Sequence, residues 1–282
     1  VALMLLCSSQ RKASTNQLEA ELSICLELCK YAPYSNDISV TALNPAEIIA
    51  YVEELKLLNR LDSVVGFDSA SAPIMGYYRN NIIHLFAVPA LIIRLIELHG
   101  EITNERLVKA VLNIYPFLRE DFILHWNDAE LTIHVQQCLI SFSDQGMIVL
   151  KNDFWSIHHV SSGVVALESF STLIQPTLQR YAMLVELLNK SGSGQLKQIG
   201  LEKRYFKVLK RITQLLGVSE ADHSDRGLIK GFIQMLKSSG MIRLDDERQL
   251  SFDTFPEEFI VDLTLSISSE VHQIIQEVVE AE

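Results

Sequence analysis

Histidines, cysteines and carboxylates that stand close together are the first places to look for chemistry, and each such group in this sequence has a plainer use. His158 and His159 are adjacent, but they follow a strand-like stretch and no further ligand stands at metal spacing from them. Cys25 and Cys29 lie one helical turn apart, which suits a metal. With no second ligand pair, small buried side chains account for them better. Asp245-Asp246-Glu247 falls between two short strand-like runs, where carboxylates serve turn formation. Gly-rich phosphate loops, a Gly-x-Ser-x-Gly elbow and His-Glu-x-x-His are all missing. The residues alone therefore predict no catalytic group, no metal and no cofactor in this chain.

Two polar groupings remain as candidate sites. The first opens the run "YYRNNIIHLFAVPALIIRLIELHG", Tyr77 to Gly100. At 100° per residue, Asn80, His84, Ala87, Leu91, Arg94 and Glu97 fall on one stripe among bulky apolar residues, the pattern of a core helix with one polar seam. The run is too short for a membrane span of roughly 20 residues, and His84 and Arg94 interrupt it. Pro89 removes an amide, so a kink is expected one turn past His84. Buried Arg, Asn and His side chains are costly unless paired. Tyr78, Arg79, Asn80 and His84 are thus expected to find partners, either inside this chain or on another domain.

The second grouping is "LEKRYFKVLKRITQLLG", Leu201 to Gly217. Leu201, Tyr205, Leu209, Ile212 and Leu216 make an apolar stripe, while Lys203, Arg204, Lys207, Lys210 and Arg211 fill the other side. A solvated face is one reading; a surface for anionic headgroups or an acidic protein face is the sharper one.

The elements that position these groups are mostly helices. Ser14 with Gln17, and Asn44-Pro45 with Glu47, read as capping boxes. Helices are predicted from about Pro73 to Gly100, Thr103 to Glu120, Asp128 to Gln145 and Ser162 to Lys190, with "SGSG" at Ser191–Gly194 as a linker. "CLISFSDQGMIVLKNDFWSI" and "FIQMLKSSGMIRLDDERQLSF" repeat one pattern of helix, Gly-Met-Ile, short strand, polar turn and second strand; "YVEELKLLNRLDSVVGFD" is a degenerate third copy. The fold class expected is mainly α, a helical bundle with small winged-helix-like β-hairpins, in segments 1–100, 101–190 and 191–282.

Of the 282 residues, 48% are hydrophobic and 21% charged, enough for proper cores. A formal charge of −11 argues against nucleic acid as a partner, and the first repeat's helix carries no Lys or Arg. Four cysteines without scaffold spacing suit a reducing compartment. In "VALMLLCSSQRK" the basic residues follow the apolar part, the reverse of a secretory signal, and it reads as a helix cut from a longer chain.

"GYYRNNIIHLFAVPALI", Gly76 to Ile92, resembles a segment in the C-terminal region of bacterial membrane-bound glycerol-3-phosphate acyltransferases. "YAPYSNDISV", "VLNIYPFLREDFILHW", "LQRYAMLVELL" and "SSEVHQIIQEVVEAE" follow the order of that family. The resemblance implies transfer of an acyl group from acyl-CoA or acyl-carrier protein to the 1-hydroxyl of glycerol 3-phosphate, yielding lysophosphatidic acid for phospholipid biosynthesis at the inner membrane. It also implies a His-x-x-x-x-Asp signature, with histidine as base and aspartate orienting it. No histidine here has Asp five positions on; His125 with Glu130 comes nearest. The reading is an accessory C-terminal domain, inactive alone, whose partners are an upstream acyltransferase domain and an anionic membrane, peripheral on the cytoplasmic face, with a homodimer left open. The alternative is a winged-helix-like regulatory or protein-interaction scaffold without enzymatic activity.

Overall fold

The computed structural model describes residues 1–7, 11–159, 163–216 and 226–282. It is mainly α-helical with small antiparallel sheets, as expected. Two compact units form, residues 1–112 with 125–174, and residues 113–124 with 175–282. These boundaries differ from the three consecutive segments. The helix Asn104–Phe122 gives its second half to the second unit, and the segment 101–190 is divided between the two.

In the first unit, α1 (Ala2–Cys7) is followed by β1 (Lys12–Ser14), α2 (Thr15–Tyr31), α3 (Pro45–Glu54), β2 (Asn59–Leu61) and β3 (Val64–Gly66). The three strands form an antiparallel sheet in the order β1-β3-β2, with Ala13 and Arg60 both opposite Val65. Then come α4 (Ala72–Ile82), a 3-10 turn Ile83–Leu85 and α5 (Ala87–His99). The strand-helix-helix-hairpin pattern now repeats as β4 (Glu101–Thr103), α6 (Asn104–Phe122), α7 (Asp128–Asp144), β5 (Ile148–Lys151) and β6 (Phe154–Ile157), in strand order β4-β6-β5. α8 (Val164–Ser171) and a 3-10 turn Thr172–Ile174 close the unit.

The second unit holds α9 (Gln175–Ser191), α10 (Gln198–Leu216), α11 (Arg226–Ser238), β7 (Arg243–Leu244), β8 (Leu250–Ser251), α12 (Glu257–Leu265) and α13 (Ser269–Glu280). Its hairpin has the same neighbour in a reduced form. Gly194 N donates to Leu250 O at 2.9 Å and Leu250 N to Leu196 O at 2.7 Å, where a third strand lies in the other two modules. The degenerate third copy is therefore a full module, and the two three-stranded copies begin a short strand and a helix earlier than the sequence pattern indicates.

Local chemistry explains the starts and stops. Asn44 Oδ1 accepts from Glu47 N at 3.0 Å while Asn44 N donates to Glu47 Oε2 at 2.8 Å, a complete capping box with Pro45 in the first turn. At Ser14 only half the box forms. Its Oγ accepts from Gln17 N, but the Gln17 amide donates to Glu21 Oε1 at 2.9 Å and Ser169 Oγ at 3.2 Å. Gly146 and Gly240 leave α7 and α11 at φ 69° and 76°, a region costly for other residues. Asn152 and Asp153 both have positive φ, the requirement of a two-residue hairpin turn.

Three expectations are corrected. The helix predicted from Pro73 to Gly100 is broken, with α4 and α5 meeting at 76° across Ile83–Phe86. Pro89 sits in the first turn of α5, and its ring and missing N–H fall against Leu85, four residues earlier, where the first helix stops. The helix predicted from Ser162 to Lys190 falls partly outside the described residues and divides at Thr172–Ile174. "SGSG" is a fastened turn instead of a free linker. Ser193 Oγ accepts from Phe252 N at 2.8 Å and Gly194 N bonds to Leu250 O, all within the second unit.

The core of the first unit is α5, whose residues Ala87 to Ile96 are all buried. No single described helix is long and apolar enough to cross a membrane. Arg94 is buried with them, its Nη1 donating to Glu97 Oε2 at 3.3 Å, and Ser171 Oγ donates to the same oxygen at 2.6 Å.

Candidate functional site

The polar seam is not a buried one. Tyr77 and Tyr78 are 63% and 42% exposed, Asn80 is exposed, and Arg79 is half-buried with its Nε donating to Asn80 Oδ1 at 3.2 Å. The bend between α4 and α5 is the reason, since it separates the first half of the seam from the buried axis of α5. Of the four predicted residues, Arg79 and His84 are half-buried, and His84 joins a cluster of rings.

His84 sits on the 3-10 turn with its ring edge-on to Tyr34 at 5.0 Å. Tyr34 also meets His125 at 4.6 Å and Trp126 at 4.9 Å, and Trp126 stacks on His134 at 4.1 Å. His134 Nε2 lies 3.6 Å from Cys138 Sγ, one turn on along α7. Three separate stretches thus converge in the first unit: "YAPYSND", "RNNIIH" and the "HW" after α6. Sequence reading singled out His125 only as the histidine nearest the His-x-x-x-x-Asp spacing, and missed Tyr34, Trp126 and His134. The local signal for Tyr34 and Trp126 was membership in the quoted segments.

Burial, and then the neighbouring His125, holds the His134 imidazole down at about 4. Burial lowers His84 as well and pushes the Cys138 thiol far up, which removes it as a nucleophile. Glu130, five positions beyond His125, has another function: its Oε2 accepts from Asn127 N at 2.9 Å, closing the capping box of α7. Cys25 and Cys29 are half-buried thiols. Among the described residues no group of three His, Cys, Asp or Glu is placed to hold a metal.

In the second unit the segments "LREDF" and "LQRYAMLVELL" also meet. Asp121 accepts from Arg180 Nη2 and, at 2.6 Å, from Tyr181 Oη, which also lies 3.1 Å from Phe117 O. Tyr181 stacks on Phe232 at 4.7 Å, and Phe117 stacks on Phe259 at 4.0 Å. All of these side chains are almost fully buried, an internal network instead of a substrate site.

The basic face of α10 takes the predicted form, with one exception. Leu201, Tyr205, Leu209 and Ile212 are buried, and Lys203, Lys207, Lys210 and Arg211 are exposed. Arg204 is half-buried, its Nη1 donating to Ser191 Oγ at 3.1 Å. Lys207 Nζ donates to Glu282 Oε1 at 2.9 Å and Arg211 Nη1 lies 4.0 Å from Glu282 Oε2. The Lys207 hydrogen bond, with the nearby Arg211 and Arg204 charges, holds the Glu282 carboxyl below its usual range. α11, with Arg226, Lys230 and Lys237, has no acidic residue.

The glycerol-3-phosphate acyltransferase C-terminal region family matches residues 1–245. A glycerol-3-phosphate acyltransferase of Haemophilus influenzae strain PittEE is 32% identical over 277 residues, 96% of this chain and 33% of its own length. The enzymes of that name from Histophilus somni and Xylella fastidiosa strain 9a5c are 33% and 28% identical over 84% and 90% of this chain. The chain spans about a third of the length of these relatives.

Proposed function

This chain belongs to the glycerol-3-phosphate acyltransferase C-terminal region family, and from that membership we propose that it is the accessory helical part of an enzyme that acylates glycerol 3-phosphate. Acyl transfer to an alcohol needs a base beside the hydroxyl. In this reading the base and its orienting carboxylate reside in the remaining length that the relatives possess. The described imidazoles near the family-matching stretches are engaged with aromatic rings, and Glu130 is committed to a helix cap.

One observation carries the docking role. The family-matching stretch from Gly76 exposes two adjacent tyrosines, with Arg79 and Asn80 beside them, on a helix bent away from the core helix. Exposed aromatic side chains with an arginine beside them are the residue types that anchor protein interfaces. The α4 face therefore docks on the acyltransferase domain, with Tyr78, Arg79 and Asn80 in contact and His84 fixing the turn behind them. Replacing Tyr77 and Tyr78 by alanine together should lower kcat/KM of the full-length enzyme at least tenfold, about 1.4 kcal/mol. The stability of this region alone should stay within about 0.5 kcal/mol, as for other exposed sites. Full activity in the double variant would remove α4 as the docking face. Family membership favours this role over the winged-helix-like regulator or scaffold.

The exposed cations of α10 support a second element of the role, peripheral attachment to the anionic cytoplasmic surface of the inner membrane. Each Lys or Arg near such a surface contributes about 1 kcal/mol. A homodimer forms no part of this reading.

A further inference from the structure

We propose that a groove between α10 and α13 binds the phosphate of a bilayer phospholipid, and that the Glu282 side chain holds the anion position until lipid displaces it. This rests on the membrane reading and refines it from a diffuse charged face to a built site.

The groove, about 330 Å³, lies wholly in the second unit. Arg211, Gln214 and Leu215 of α10 line one side, and Glu277, Val278 and Ala281 line the other. Its two halves differ in chemistry. The Arg211 end continues into Lys207, one turn back on the same helix, and an anion already sits there: the Glu282 carboxylate, with one oxygen on Lys207 and the other toward Arg211. A phosphodiester offers the same arrangement, two free oxygens sharing one charge. The geometry that accepts the carboxylate accepts the phosphate.

Beside the cations, Leu215 stands 64% exposed, with Val278 and Ala281 across from it. A soluble phosphate has no use for that surface. A lipid places the glycerol and the first methylenes of its chains over it while its phosphate meets the cations. Charge points the same way. α10 and α11 carry eight Lys and Arg and one acidic residue, Glu202, in a chain whose net charge is −11. Arg226 and Lys230 are exposed on α11. The Glu282 contact then acts as an internal competitor, so the site opens only where anionic lipid is concentrated enough to replace one carboxylate.

The test is co-sedimentation of the full chain with phosphatidylglycerol–phosphatidylcholine vesicles at low salt. Glu282→Gln should tighten binding about fivefold, the equivalent of one charge near an anionic surface. Leu215→Ser, which leaves the charge unchanged, should weaken it by about as much; the side chain is exposed, so folding is preserved. Lys203→Gln with Lys210→Gln, on the same helix but outside the groove lining, samples the diffuse face alone. If the wild type binds, this pair weakens it, and Leu215→Ser changes nothing, the groove is overturned and the membrane reading stands, because charge alone accounts for any effect of Glu282→Gln. If neither the wild type nor Glu282→Gln binds, both are overturned. If inorganic phosphate binds the chain, and binds more tightly after Glu282→Gln, while vesicles are not bound by either form, the site takes soluble phosphate and the lipid assignment is wrong.

Discussion

Asp121→Asn is expected to cost about 3–5 kcal/mol of stability, because it leaves the Arg180 guanidinium buried without its counter-charge. The Arg180 and Asp121 side chains are 2% and 4% exposed, so water cannot take over the lost partner. The asparagine oxygen can still accept from Tyr181 Oη, which the Phe117 carbonyl also approaches, so the loss is one of charge. Tyr181→Phe, which removes one neutral donor and leaves the ion pair, should cost only about 1 kcal/mol. Joint replacement, Asp121→Leu with Arg180→Met, should recover most of the loss, since a buried ion pair often does no better than apolar groups of similar size. Chemical denaturation followed by circular dichroism reads all three. A loss below 1 kcal/mol for Asp121→Asn would show that the carboxylate is not the charge partner.

Acid should weaken the first unit through His134. Its folded-state value of about 4 lies below the ordinary 6.5, and burial is the main cause, so the neutral ring is the folded form. Between those two values the unfolded chain binds the proton and the folded one does not. Stability is therefore fully present above pH 6.5 and is lost as pH falls toward 4, by an amount on the order of 3 kcal/mol. The proton would enter between Trp126, Cys138 and the nearby His125, none of which supplies a carboxylate. His134→Phe keeps a ring against Trp126 and removes the titration. It should flatten the pH dependence of unfolding in this window, and equal slopes for variant and wild type would refute the assignment. NMR titration of the His134 imidazole is an independent check.

Much of this was legible in local chemistry. Asn44-Pro45 with Glu47, and Asn152-Asp153 between alternating runs, state their turn or cap within four residues, and the backbone follows them. The buried stripe of α10 followed from its period. What stayed hidden depends on distant partners. Pro89, four residues beyond Leu85, marks the place of the break, but nothing local gives its 76° size or the exposure of Tyr77 and Tyr78 that goes with it. β1 and β4 have three residues each, too few for any alternation to register, and exist because the hairpins β2-β3 and β5-β6 offer them an edge. The ring cluster joins residues 34, 84, 125 and 134, a meeting that only the fold arranges.

The buried helix α5 also imposes a schedule on synthesis. Its ten core residues pack against α7 and α8, elements that come later in the chain and end at Asp144 and Ser171. At translation rates of about 5–20 residues per second, α5 leaves the ribosome several seconds before α8 is complete. Through that interval this buried helix lacks two of the elements that cover it. A nascent chain in this condition is a target for holding chaperones and for adsorption to any nearby bilayer, and the order of the elements makes the exposure unavoidable on every round of translation.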